Sequence, residues 1–396
     1  MKIKLPILLC IILPLLQGCS SRAVGGPENV LVVSNANSPV SQRIASYYME
    51  ERGITSKYLV NIRTIDSSLC ATNESISPKD YIEQIHRPIQ SYLDNQGLTN
   101  KIQYIVLTKG VPFKLSSDPT GGSSGGQSVD SILATMGMAK PPMLIINNNG
   151  KNIGNPIINR YWRSNKPFSH AEYGGYLVTR LDGYTEADAK ALVDRALAPS
   201  PVERIVLLDA DLKKGLGDPS VQPISLIAPD GSRLPETPIR FSDFNADMIH
   251  LHDLLLDRKQ VNVVLDRTND FVCNAKPLTV YVSWGSNDSK FNADTYHSLK
   301  FAPRSLAETA VSSSGRTLLK TTGGQSLIAD LIAQGAAGAK GYVTEPYLFA
   351  MASPSVFVCQ YISGRNLAES FYSGSRLIGW KDIVLGDPLC CLEGSK

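Results

Sequence analysis

Short apolar runs alternate with amphipathic stretches along most of the chain. Val30-Leu31-Val32-Val33 reads as a buried strand ending in Ser34-Asn35-Ala36-Asn37. Ser41 to Arg52 follows as a helix with Ile44, Ala45, Tyr48 and Met49 on one face, and Gly53 stops it. Tyr58 to Ile62, Tyr104 to Leu107 and Tyr176 to Val178 read as further strands. Helices are predicted over Tyr81 to Gln96 and from the Thr185 cap to Leu197. Past Pro199 and Pro201 the alternation resumes. Strands are expected at Arg204 to Leu208, Val261 to Leu265, Leu278 to Val282, Leu306 to Val311 and Ala339 to Val343. Helices are expected at Ala246 to Arg258, Gln325 to Gln334 and Leu367 to Leu377. Such alternation implies α/β architecture with mostly parallel sheets, here two tandem doubly wound units. Residues 116–127, rich in Ser and Gly, read as a mobile loop, 128–175 as irregular and 212–240 as loop.

The first residues interrupt that pattern. Lys2 and Lys4 precede an apolar run, Leu5 to Leu16, too short to cross a hydrocarbon core of about 30 Å as a helix. Leu16-Gln17-Gly18-Cys19 then resembles the lipobox of bacterial lipoproteins, where the cysteine sulfur is the nucleophile that takes the lipid. The expectation is a signal peptide over 1–18 and a lipidated Cys19, followed by a flexible tether over 19–28. An N-terminal α/β subdomain is expected over 29–200 and a second over 201–392. Ser20, rather than Asp, after the cysteine resembles the outer-membrane sorting pattern, which places the protein on the periplasmic face or the cell surface.

Composition narrows the function classes. The net charge is +3, and +1 without residues 1–18, so there is no electrostatic case for nucleic acid. Cys70, Cys273, Cys359, Cys390 and Cys391 remain after Cys19, and an oxidising compartment permits disulfides among them. No Cys/His spacing suggests a metal site, and no cofactor is expected. Gly121 to Gly126 lacks the following Lys-Ser/Thr of a phosphate loop. None of His86, His170, His250, His252 and His297 directly follows a strand, which is where a general base would be sought.

Ligands of open parallel sheets bind outside the carboxyl ends of the strands. The polar residues there are Asp209, Asp211, Ser283, Trp284, Ser286, Asn287, Asp288, Ser312, Arg316, Glu345 and Tyr347. Taken singly, each has an ordinary reading. Gly285 serves a turn, Asn287 or Asp288 caps a segment, and Trp284 is core. Taken together, Trp284-Gly285-Ser286-Asn287-Asp288 spends more chemistry than a turn needs.

Residues 29 to 391 resemble a family of bacterial exported proteins. The resemblance rests on Tyr176 to Gly183, Ser283 to Asp288, Gly341 to Tyr347, Asn366 to Tyr372 and Gly386 to Cys390. It implies export and supplies no chemistry. More distantly, the chain resembles the gingipain cysteine peptidases, which have a caspase-like fold. Thr179-Arg180-Leu181-Asp182 is similar to their Gly-Arg motif, and Leu385-Gly386-Asp387-Pro388 to their terminal Gly-Asp-Pro. Val280 to Ser286 sits where they carry Tyr-x-Gly-His-Gly-Ser, and Ala310 to Gly315 where they carry Ala-Cys-x-x-Gly. The resemblance therefore places Trp284 at the histidine position and Ser312 or Ser313 at the cysteine position. Indole cannot accept a proton, and a serine with no adjacent base is a weak nucleophile.

Two functions fit. The first is a degenerate caspase-like protein that binds a peptide or glycan without thiol-dependent cleavage. Its site would be Trp284, Ser286, Asn287, Asp288, Ser312, Arg316, Glu345 and Tyr347. The second is a hydrolase of peptide or glycan with Asp288 and Glu345 as an acid/base pair. The first requires Trp284, Asp288, Arg316 and Glu345 to converge on one pocket at the edge of the second sheet.

Overall fold

Ten apolar segments pair into one sheet in a computed structural model that describes residues 25–117, 125–148, 151–214, 225–227, 243–272 and 276–392. The strands are β1 (Val30–Asn35), β2 (Leu59–Ile62), β3 (Tyr104–Thr108), β4 (Leu177–Leu181), β5 (Arg204–Asp209), β6 (Val261–Asp266), β7 (Leu278–Ser283), β8 (Phe301–Thr309), β9 (Gly338–Tyr342) and β10 (Asp382–Gly386). Their spatial order is β6-β5-β7-β8-β9-β10-β4-β3-β1-β2. Strands β1 to β4 are mutually parallel, and so are β5 to β9. Strand β10 runs antiparallel to β9 and is bridged to β4 by Leu385 and Arg180. The segments before and after 198–202 thus contribute to one continuous α/β sheet. The expected signal peptide, Cys19, Cys273 and most of the Gly-rich loop lie outside the described residues.

Strands β1, β3, β4, β7, β9 and β10 are buried at every position, the signature of a parallel sheet covered on both faces. Helix α1 (Pro39–Arg52) begins at Ser38, whose hydroxyl accepts from the Ser41 amide, with Pro39 in its first turn. It ends where Gly53 turns left-handed at φ 64°, and it buries Ile44, Ala45 and Tyr48. Helix α2 (Glu186–Leu197) starts with a reciprocal Thr185/Asp188 capping box and packs on α1 and on α3 (Ile328–Ala333). Helix α4 (Phe244–Leu255) packs on α5 (Pro354–Ile362), which packs on α6 (Leu367–Gly374).

Helix α5 and strand β10 are additions to the sequence expectation. Within 128–175 the structure has short elements rather than an irregular run, including a helix at Val129–Leu133. That helix carries Asp130, which receives two bonds from the buried Arg180 guanidinium, at 2.9 and 2.6 Å. Arg180 also donates to the Val111 and Pro112 carbonyls. Arg180 and Asp182 of the Thr-Arg-Leu-Asp stretch are therefore an internal brace.

Candidate functional site

The loops that leave the carboxyl ends of both parallel sets meet. Lys109 follows β3, and its ammonium donates to Asp182 at 3.1 Å and to the Gly183 carbonyl at 2.7 Å, both beyond β4. It also reaches the Leu318 carbonyl at 3.1 Å, in the loop after β8. One edge of the sheet therefore gathers the strand ends on which the sequence-predicted site depends.

At that edge the residues after β7 and β8 are stitched together. Gly285 adopts φ 50°, and a Cβ there would lie 2.8 Å from Val311 Cγ2, so only glycine lets the two loops come this close. The Ser286 hydroxyl accepts from the Ser326 amide at 2.9 Å, and the Ser326 hydroxyl accepts from the Ser286 amide at 3.1 Å. Asn287 donates to the Ala310 carbonyl at 2.7 Å and accepts from the Gln325 side chain at 2.9 Å. Ser313 donates its hydroxyl to the Gln325 amide oxygen at 2.6 Å, and Ser314 accepts from the Tyr342 amide at 3.3 Å. Ser312 is half-buried beside them. Gln325 and Ser326, which hold this network together, were expected in the first turn of a helix that in the structure begins only at Ile328.

The remaining expected site residues part company. Trp284 is only 6 % exposed; its indole donates to the Asn245 side chain at 2.7 Å, and its ring meets Phe244 edge-on. It is a core side chain with its polar atom satisfied, and it offers no open face for stacking, contrary to the expected ligand platform. Asp288 accepts from the Lys290 amide at 2.6 Å. Partial burial raises its carboxyl above the ordinary range, with Asp211 and Asp266 adding to the rise. Glu345 is exposed and accepts from the Tyr347 amide at 2.9 Å, within its own turn. Tyr347 stacks on Phe349 with ring centroids 5.9 Å apart. Arg316 donates to the carbonyls of Gln325 at 2.5 Å and Gly323 at 2.9 Å. Among the described residues it pairs with neither Asp288 nor Glu345. The four residues expected to converge do not share a pocket. Ser286, Asn287 and Arg316 are joined through Ser313, Gln325 and Ser326, whereas Trp284, Asp288 and Glu345 each face a different neighbour.

The carboxylates after β5 and β6 were only partly singled out by sequence. Asp209 is 1 % exposed, and burial pushes its carboxyl up to about 7, with Asp288 as the next contribution. Asp211 accepts from the Ser289 amide at 2.8 Å and so positions the residue after Asp288.

A depression lies at the seam between the early and late strands. It has a volume of about 370 Å³ and is lined by Ala71, Glu74, Lys114, Arg316, Thr317, Leu319, Lys320 and Thr321. Of these, only Arg316 was expected to face a ligand. Glu74 and Lys114 are brought there by a short parallel pairing of Ser75–Ile76 with Lys114–Leu115. Glu74 accepts from the Thr317 hydroxyl and the Leu318 amide, both at 2.8 Å, and Lys114 donates to the Arg316 carbonyl at 2.7 Å.

This architecture is the gingipain-like, caspase-like α/β fold. The chain is similar to the Arg-specific cysteine proteinase gingipain R, with a TM-score of 0.50, 12 % identity, and coverage of 93 % of this chain and 79 % of that one. It is also similar to the complex of the pro- and mature domains of RgpB from Porphyromonas gingivalis, with a TM-score of 0.46, 11 % identity, and coverage of 92 % and 79 %. No family model matches the chain, and no curated protein does.

Proposed function

We propose that this protein is a lipid-anchored binding protein of the bacterial envelope, built on a gingipain-like scaffold without a thiol peptidase centre. Its ligand is a peptide or glycan. One observation carries this reading: Trp284 fills the position that the resemblance gives to the peptidase histidine, and its indole is tied to Asn245 inside the core. The neighbouring loop presents Val311 and serines. Ser313 gives its proton to an amide oxygen, which is no base, so the hydroxyl is not activated. The carboxylate-pair hydrolase has no comparable support: Asp288 lies among Asp209, Asp211 and Asp266 and accepts from the Lys290 amide, whereas Glu345 is exposed and accepts from the Tyr347 amide within its own turn.

Lipidation at Cys19 supplies the membrane attachment, on the periplasmic face of the outer membrane or on the cell surface. Two measurements test the reading. The purified mature chain should show no peptide cleavage that iodoacetamide abolishes, and Cys19→Ala should move the protein from the membrane to the soluble fraction. Robust thiol-dependent cleavage would overturn the binding role. A Cys19→Ala protein that stays wholly with membranes would overturn the anchor.

A further inference from the structure

We infer that the seam groove is the ligand site and that it takes an acidic peptide segment. This rests on the reading of the chain as a binding protein and specifies the ligand chemistry. At about 370 Å³ the groove falls at the small end of ordinary ligand pockets, which run from about 300 Å³ upward. Its lining sets three cations, Lys114, Arg316 and Lys320, against one carboxylate. That carboxylate is already committed. Glu74 is 1 % exposed, one oxygen accepts from Thr317 and Leu318, and the other faces Lys114 at 3.4 Å. Lys114 is thus balanced from within.

Arg316 and Lys320 are not balanced in this way. The Arg316 guanidinium donates to carbonyls, which orient it without cancelling its charge. Lys320 is exposed at the rim, and among the described residues it forms no ion pair. The groove therefore presents one positive charge held in place by carbonyls and another on an exposed side chain.

The form of these charges selects the ligand. Donors of the Arg316 fork that would clamp a phosphate are spent on Gln325 and Gly323. What is left is charge without a chelating fork, beside the apolar Leu319 and the hydroxyl of Thr321. That combination suits separate carboxylates carried along a chain, with apolar atoms between them, better than one compact polyanion.

The test uses the full mature protein with fluorescent oligoglutamate, fluorescent oligoglutamine and inorganic phosphate as probes. Oligoglutamate should bind, its affinity should fall as salt rises, and oligoglutamine should bind far more weakly. Lys320→Glu should weaken oligoglutamate binding about tenfold, because an attraction becomes a repulsion, while Lys320→Arg should retain it. Lys320 is exposed, so an unchanged circular dichroism spectrum is expected for both variants. Equal binding of the two peptides, an unaffected Lys320→Glu variant, or full displacement of oligoglutamate by phosphate would each overturn the inference. A peptidase assay on the same preparation separates the two levels. Lack of oligoglutamate binding without cleavage sinks the ligand assignment alone, whereas thiol-dependent cleavage sinks the binding role beneath it.

Discussion

Lys109 and Leu318 tie the early and late strands to each other: the Lys109 ammonium, 5 % exposed after β3, donates to the Leu318 carbonyl at 3.1 Å in the loop after β8. The same ammonium neutralises the buried Asp182. Lys109→Met should therefore remove one of the two cations beside buried Asp182, leaving Arg180 at 3.6 Å as the other, and leave two carbonyls without a donor. A loss of about 3 kcal/mol is expected in urea unfolding. A change under about 1 kcal/mol would show that the staple is energetically idle.

Trp284→Ala should lower stability by about 3–5 kcal/mol, as truncation of a packed aromatic does. Trp284→Phe should lose less, since the ring returns, although Asn245 then lacks the indole donor. Equilibrium unfolding of the three proteins measures this. A near-neutral Trp284→Ala would restore the indole as an accessible platform.

Both cases show what the sequence could and could not reveal. Continuous apolar runs such as Val30–Val33 and Tyr104–Leu107 announced strands, because both faces of the sheet are covered. Helix α5 escaped because it is apolar nearly all round, with no polar face to give a helical period. Strand β8 begins earlier than its apolar run, since Pro303 and Arg304 interrupt the run; Arg304 turns left-handed there and bonds the Ala198 and Cys391 carbonyls. At the site, topology put the residues after β7 and β8 at one edge, as the sequence implied. The direction of Trp284 was not legible, because it is set by Asn245, separated from it by 39 positions. The seam groove was equally hidden, since Glu74 and Lys114 reach Arg316 only through tertiary pairing.

Stability should fall as pH rises from about 5 to 8. Burial pushes the Glu308 and Glu369 carboxyls up to about 7, as it does Asp209. An unfolded carboxyl titrates near 4, so between about 4 and 7 the folded chain holds more protons than the unfolded one. The stabilisation is complete below the unfolded value and is lost as pH passes through the folded one. Glu308→Gln should flatten part of the slope while keeping an acceptor for the Tyr342 hydroxyl, which now bonds Glu308 at 2.6 Å. Thermal unfolding across this window decides, and a melting temperature that climbs toward pH 8 would contradict the assignment.

Cys70 should be the first of the described thiols to react with iodoacetamide under native conditions. It is exposed, and the Thr72 hydroxyl, followed by the Asn73 amide, lowers its thiol below the ordinary value. Burial pushes Cys359 up to about 11 and Cys390 up to about 12, which leaves little thiolate at either. Peptide mass mapping after brief labelling should find the adduct on Cys70. Equal labelling of Cys390 would mean that the helix α5 side of the core opens readily.

Strand β10 follows the other nine strands in the chain yet lies between β9 and β4. Assembly order therefore opposes chain order. Until Asp382–Gly386 arrives, β4 and β9 both present unpaired backbone along one side. A chain delivered from its amino end waits with two open ladders, and its most distant segment must close both at once. Such late, long-range closure makes folding slow and leaves nascent molecules able to pair with each other, so escort during delivery matters more here than for a sheet that grows outward strand by strand.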